Sequence, residues 1–262
     1  MSDKYLMYLN TVQGVSLKTL IEALKEVLTD VNVTIDHTGL EIVNINPTKI
    51  AIVHLKLDAA EFQEFMCPNK IHIGINLTAI HKLLKTIGNN DTVSLYVTKA
   101  NPDCLGITIL NKPKKRENNI LYNLLDIDLY SIGIPDVEYD THISMPCTDF
   151  QKYCREFATV SNFVEFLVHD KTFIIRVDGR FASQELKISE TDDSETVINT
   201  KTPELQTIGL FSLKFLNLFC KSSTLCNKIE LYLKADYPIV IVYSVASLGK
   251  CKYCLCSQTD IE

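Results

Sequence analysis

Residues 15–28, VSLKTLIEALKEVL, and residues 148–161, TDFQKYCREFATVS, are one helix written twice. In the first, Leu17, Leu20, Ile21, Leu24 and Val27 recur at steps of three and four, the spacing of one helix face. A shift of 133 positions lays them on Phe150, Tyr153, Cys154, Phe157 and Val160, and every apolar position is kept. A second helical stretch, with Leu77, Ile80, Leu83, Leu84 and Ile87, stops at Gly88-Asn89-Asn90. Shifted by 136 positions, Leu77, Ile80, Leu83 and Lys85 fall on Leu213, Leu216, Phe219 and Lys221. The segments that follow, NNDTVSLYV and LCNKIELYL, then align too. So long a period excludes a solenoid and indicates a duplicated domain.

The expected helices are 15–28 with Ser16 as N-cap, 78–87, 149–160 starting at Asp149, and 212–221 after Ser212. Between them lie period-2 or apolar runs that read as strands: Val33–Ile35, Leu40–Ile45, Ile50–Leu57, Val93–Val97, Ile107–Leu110, Phe163–Val168, Phe173–Val177, Ile229–Leu233 and Ile239–Val245. Each half thus has two helices among a majority of strands, an α+β arrangement. The expected division is 1–120, a connecting loop 121–139, and 140–262. Gly133 and Pro135 break regular structure in that loop, and Asp126, Asp128, Asp136 and Glu138 keep it solvated.

The chain of 262 residues is 46% hydrophobic and 22% charged, which is ordinary for a globular protein. No stretch reaches the roughly 20 apolar residues of a membrane span, so no membrane partner is expected. The N-terminus lacks a signal-peptide core, and residence on the cytosolic side is expected. Nine scattered cysteines, an odd count, point to reduced thiols rather than a disulfide framework.

The net charge is −6, with an isoelectric point near 5.6, which argues against a simple basic DNA-coating protein. The charge is unevenly spread. Opposite the apolar stripes stand Lys18 and Lys25, Lys82 and Lys85, Lys152 and Arg155, and Lys214 and Lys221. The four helical stretches hold eight bases and four acids, net +4, which leaves 18 bases and 28 acids, net −10, elsewhere. Side by side, the helices would form a positive surface that attracts phosphate without sequence preference. Taken alone, the same bases could simply solvate exposed helix faces.

Several stretches resemble the proliferating cell nuclear antigen (PCNA) family of DNA sliding clamps. They are VQGVSLKTLIEALKEVL (12–28), DHTGLEIVNINPTKIAIVHLKL (36–57), IGINLTAIHKLLKTIGNND (73–91), LLDIDLYSIGIPDVEYDTHISMP (124–146) with DFQKYCREF (149–157), SLKFLNLFCKSS (212–223) and LKADYPIVIVYSVASLGKCKYCL (233–255). They occur in family order and cover most of the chain, with 165–195 the least similar part. The resemblance implies the DNA-clamp fold: two topologically similar domains per chain, and three chains closing head to tail into a ring. Helices would line the hole and antiparallel sheets form the outer wall. The implied function is that of a polymerase processivity factor in DNA replication and repair, which encircles double-stranded DNA non-specifically and tethers other proteins. The eight bases named above match basic or channel-lining positions of the family.

The resemblance also implies a partner-peptide pocket beneath the interdomain loop, at Ile45, Lys49, Ile50, Ile52, Ile132, Ile134, Pro135, Pro238, Val240 and Cys254. Its ligands would be DNA polymerase, clamp loader and other proteins carrying a motif of glutamine, an aliphatic residue three positions on, then two aromatics. Read without the resemblance, Ile45, Ile50, Ile52 and Val240 are ordinary sheet core. Lys49 replaces the family's usual histidine and Cys254 its usual tyrosine, while Cys256 and Ser257 replace a small residue and a proline. Subunits would join by edge-to-edge strand pairing, near 107–120 on one chain and 178–188 on the next. The basic run Lys112 to Arg116 would then be a solvated hairpin tip.

No catalytic residue, metal site or cofactor is expected. The six histidines show no H-x-x-x-H spacing, and there is no Gly-rich phosphate loop. Cys251 and Cys254 form a C-x-x-C with no second pair at zinc-site spacing. A heterotrimeric checkpoint-type clamp and a monomeric DNA-binding processivity factor are the alternative assemblies. The expected location is the nucleus of a cell, or a host nucleus or cytoplasmic replication site for a virus.

Overall fold

The computed structural model describes residues 4–129, 137–193, 195–201 and 203–258. The element order repeats. Residues up to 123 form β1 (Tyr5–Thr11), α1 (Gly14–Leu24), β2 (Asp30–Asp36), β3 (Gly39–Ile45), β4 (Ala51–Asp58), β5 (Glu64–Met66), β6 (Ile71–Asn76), α2 (Leu77–Leu84), β7 (Thr92–Thr98), β8 (Asn101–Asn111) and β9 (Arg116–Asn123). The second run is β10 (Thr141–Pro146), α3 (Cys147–Phe157), β11 (Phe163–His169), β12 (Thr172–Asp178), β13 (Ser183–Ser189), β14 (Val197–Thr200), β15 (Gln206–Ser212), α4 (Leu213–Phe219), β16 (Lys228–Leu233), β17 (Ile239–Val245) and β18 (Gly249–Leu255). The helices start 133 and 136 residues apart (14 to 147, 77 to 213), the two offsets expected from the apolar positions.

The chain divides into two compact units: 1–44, 54–132 and 244–251 in one, and 45–53, 133–243 and 252–262 in the other. In the first, one sheet runs β5-β1-β7-β8-β9, and β6-β2-β3 pair separately, all antiparallel. In the second, β14-β10-β16-β17 and β15-β11-β12-β13 repeat that plan, again antiparallel. The architecture is therefore α+β, built on antiparallel sheets.

The apolar stripes become cores. Leu20, Leu24 and Leu77 are sealed in the first unit, together with Val31, Ile35 and Ile107. The second core is richer in rings, with Phe150, Phe157, Phe211 and Phe219 all fully buried. Phe219 stacks on Tyr253 at 4.6 Å, and the Tyr253 hydroxyl is 2.7 Å from that of Ser222, so the phenol enters the core with its polar end satisfied. Truncating one such ring to alanine removes about 3–5 kcal/mol.

All four helices differ from expectation at both ends, and three of the starts have a visible cause. Ser16 lies inside α1, which is flanked by Gln13 without a side-chain cap. The helix starts early because Gly14 lets the backbone approach β7, where an added Cβ would meet Val93 Cγ2 at 2.6 Å. Likewise α3 begins at Cys147, two residues before Asp149, because β10 runs directly into it. The cap that the sequence did not announce is Asn76, whose Oδ1 accepts from Ala79 N at 2.8 Å at the start of α2. Strands β1, β5, β6, β10, β14, β15 and β18 are not among the runs that read as strands in the sequence.

Candidate functional site

Within each unit the two helices are neighbours. In the first, the Lys18 ammonium on α1 donates to the Ile87 carbonyl, just beyond the end of α2, at 2.7 Å. A cation at the C-terminal end of a helix is favoured by the aligned carbonyl dipoles. In the second, Gln151 Nε2 on α3 donates to Cys220 O at 2.9 Å, and Asn217 Nδ2 on α4 donates to Cys154 O at 3.1 Å. These bonds hold each pair so that the apolar stripes face the core and the remaining side chains face solvent.

The helices are shorter than expected, which sets several bases at their ends. Lys25 and Lys85 are the C-cap residues of α1 and α2. Lys25 stays beside Lys18, because the chain keeps turning: Val27 N and Leu28 N both bond to Leu24 O, at 3.0 and 2.9 Å. Lys221 lies in a 3₁₀ turn, Cys220–Thr224, that continues α4. All eight expected positions remain on or at the ends of the four helices.

They are not equivalent. Lys18 is half-buried and committed to Ile87, while Lys25 is half-buried and bonded to Glu26 Oε1 at 2.5 Å. Lys82, Lys85, Lys152, Arg155, Lys214 and Lys221 are exposed, and none of them forms an ion pair with another described residue. As far as the described residues go, these six can meet an external anion without first breaking an ion pair. The acids on the same faces are partly occupied: Glu156 Oε1 accepts from Gln184 Nε2 at 2.8 Å, and Glu22 is 3.9 Å from His81.

The expected partner-binding residues divide into two groups. Ile132, Ile134 and Pro135 lie outside the described residues. Ile45, Lys49, Ile50, Ile52, Pro238, Val240 and Cys254 all belong to the second unit. Of the four that sequence alone assigns to sheet core, only Val240 is buried; Ile45 is 36% exposed, and Ile50 and Ile52 are half-buried. Between Ile45 and Ala51 the chain makes a rigid turn built on Asn46, which is 4% exposed. Its Oδ1 accepts from Ile50 N at 2.9 Å and Ala51 N at 2.8 Å, while Lys49 N bonds to Asn46 O at 2.9 Å. Lys49 caps this turn with φ of 60°, a left-handed conformation uncommon for a lysine, and its side chain points to solvent. Cys256 N bonds to Ile50 O at 3.1 Å, which brings the end of β18 to the turn.

Tyr139 is a residue the sequence reading passed over. Burial, and then the nearby Cys254, push its hydroxyl up to about 12, and its ring packs edge-on to Tyr232 at 5.9 Å. Burial likewise pushes the Cys254 thiol up to about 11, so it presents a neutral, apolar surface. A tyrosine directly after the acid-rich loop was the available signal.

The sheet edges complete the picture. Strand β9 pairs with β8 alone and β13 with β12 alone among the described residues, so each offers one unpaired edge. Other edges are blunted: β5 and β14 are short, at three and four residues. A bridge from Gly74 to Leu125 covers part of β6, and Leu210 N on β15 bonds to Ser257 Oγ at 3.2 Å. The run Lys112 to Arg116 forms the tip between β8 and β9, with Asn111 paired to Arg116. The tip is anchored as well as solvated. Asp91, 2% exposed, accepts from Gly88 N (2.9 Å), Asn111 Nδ2 (2.5 Å) and Arg116 Nη2 (3.3 Å). The Gly88 amide first, with Asn111 and Arg116 adding to it, holds the Asp91 carboxyl below its ordinary value despite burial.

Comparison with known proteins shows the family. Residues 6–131 match the family model of the proliferating cell nuclear antigen N-terminal domain, and residues 133–258 match that of its C-terminal domain. A protein of Paramecium bursaria Chlorella virus 1, described as probable DNA polymerase sliding clamp 1, is 32% identical over 255 residues, which is 96% of each chain. With both domain models matched in order across nearly its whole length, the chain belongs to the proliferating cell nuclear antigen family.

Proposed function

We propose that this chain is a DNA sliding clamp, a non-catalytic scaffold that encircles duplex DNA and keeps a polymerase on its template. The observation that carries the reading is the set of six uncommitted cations on the helices of an otherwise acidic chain. Such charges attract phosphate without reading bases, as a ring that must slide requires, since tight base contacts would pin it. Lys18 and Lys25 belong to the same surface, with Lys18 acting mainly through the packing of α1 on α2. The relative's description as a polymerase clamp supports the same reading.

Three copies close the ring, β9 of one pairing with β13 of the next. That both are unpaired edges of ordinary length, while other edges are short or covered, supports this assembly. Each chain contributes the two domains expected at 1–120 and 140–262, with β9 running on to Asn123 before the connecting segment begins. Polymerase, loader and other partners insert an aliphatic and aromatic anchor against Ile45, Ile50, Ile52, Pro238, Val240 and Cys254. Lys49 sits at the mouth of this groove and selects among partner motifs.

Light scattering coupled to size exclusion, over a concentration series, tests the assembly. The expected species is close to three times 29.6 kDa. A persistent monomer at all concentrations would eliminate the homotrimeric ring. Primer extension on a singly primed circle then tests the function, the expected result being longer products per binding event when the protein is loaded.

A further inference from the structure

We infer that Cys147 and Cys226 are a modification site: they join in a reversible disulfide on exposure to a low-molecular-weight disulfide such as oxidised glutathione. The bond staples the start of α3 to the segment entering β16. This inference stands apart from the clamp reading, because it follows from the packing of the second unit alone.

The two Sγ atoms are 3.7 Å apart. A disulfide needs about 2.0 Å, a closure within reach of small side-chain rotations. The backbone is already in place. Antiparallel pairing of β10 with β16 extends to Pro146 and Lys228, and the next residue, Cys147, donates its N–H to Asn227 O at 2.9 Å. Cys226 is held from its own side, its Sγ lying 3.1 Å from Lys228 O. The two cysteines flank the end of this fixed pairing, Cys147 at the start of α3 and Cys226 two residues before β16, so their thiols are held side by side.

The thiols differ in access. Cys147 is 2% exposed and Cys226 half-buried, so Cys226 meets the reagent first. Its thiolate attacks glutathione disulfide, forming a Cys226–glutathione mixed disulfide and releasing one glutathione thiolate. Cys147 then loses its proton to solvent base and attacks the Cys226 sulfur, and the second glutathione leaves as thiolate. In sum, two protein thiols are oxidised to one disulfide and one glutathione disulfide is reduced to two glutathiones. The S–H···S contact with Cys226 and then burial hold the Cys147 proton tightly, so the second step is slow at neutral pH and quickens as pH rises. A second hydrogen-bonded pair, Cys154 and Cys220, offers no such entry, because both sulfurs are buried.

The staple joins the basic helix α3, with Lys152 and Arg155, to the segment just after Lys221. It closes a loop running from residue 147 to residue 226. Constraining so long a loop in the unfolded chain raises the melting temperature by roughly 5–15 °C.

The test equilibrates the full-length protein in glutathione buffers of graded ratio, quenches with acid, alkylates and maps the peptides by mass spectrometry. The expected product is one cross-link, Cys147 to Cys226, fully reversed by dithiothreitol and accompanied by the rise in melting temperature. In Cys147→Ser the glutathione adduct should accumulate on Cys226, since nothing resolves it. Any of three results in the wild-type protein overturns the inference: a stable adduct on Cys226 without cross-link, thiols that stay reduced at the most oxidising ratio, or a cross-link through Cys154 or Cys220. The wild-type map decides the matter even where a variant folds poorly.

Discussion

Replacing Lys82 and Lys85 by glutamine removes two positive charges from α2 and should weaken DNA binding in a way that salt reveals. Both side chains are exposed and outside any ion pair with a described residue, so folding should be nearly unaffected, within about 0.5 kcal/mol. The four helical stretches carry net +4, and losing these two charges brings them to +2 per chain. Each phosphate contact that disappears lowers the slope of log affinity against log salt by about 0.9. If the pair in one copy touches DNA at a time, the slope falls by about 1.8; with three copies engaged, by about 5. The assay is fluorescence anisotropy of a labelled duplex, titrated with protein from about 50 to 200 mM salt, the range over which such contacts dominate. Circular dichroism melts and light scattering run alongside to show that fold and assembly are kept. Wild-type affinity and slope in a properly assembled variant would refute the assignment of these lysines to a DNA-facing surface.

Other substitutions separate structure from binding. Lys18→Met keeps the aliphatic stem but loses the donor to Ile87 O, which should cost about 1 kcal/mol by urea unfolding and reduce the salt slope less than the α2 pair does. Asp91→Ala strands the buried Asn111 amide and frees Arg116, for a loss of about 3 kcal/mol at pH 7. Because the Asp91 carboxyl is held below its ordinary value of 3.8, its contribution is complete above that pH and fades as pH falls through the lower folded value. The gap in stability between wild type and variant should therefore narrow as pH falls below 3.8, and a gap that stays constant with pH would contradict the charge-based account. Asn46→Ala removes the acceptor for Ile50 N and Ala51 N, which should cost about 2 kcal/mol and loosen the turn that presents Lys49, measurable as faster amide exchange at both positions.

Much of this was legible in the amino-acid order, for identifiable reasons. The offsets of 133 and 136 were visible because helix cores impose a strict spacing, and Leu17 to Phe150 or Leu77 to Leu213 survive as apolar pairs. The eight bases were readable as a set because each lies opposite such a stripe. Helix ends were less legible. Gly14 starts α1 for a reason located 79 residues away in Val93, and Asn76 caps α2 from within a strand. The unequal standing of the bases could not be read at all, since the Ile87 carbonyl that engages Lys18 is a backbone group brought near by folding. The same holds for Asp91, an unremarked acid in a turn until Arg116 and Asn111 converge on it.

The two open edges have a bearing on the number of copies. Because β9 and β13 differ in sequence and in sheet, joining β9 of one copy to β13 of another leaves one edge of each kind still available. Every addition reproduces the same vacancy, so growth never saturates by running out of sites. It ends only when the fixed rotation between neighbours returns the last edge to the first. Under the proposed β9–β13 pairing, copy number is a property of angle rather than affinity, and a substitution that altered the tilt of β13 by a few degrees would convert a closed set into a filament.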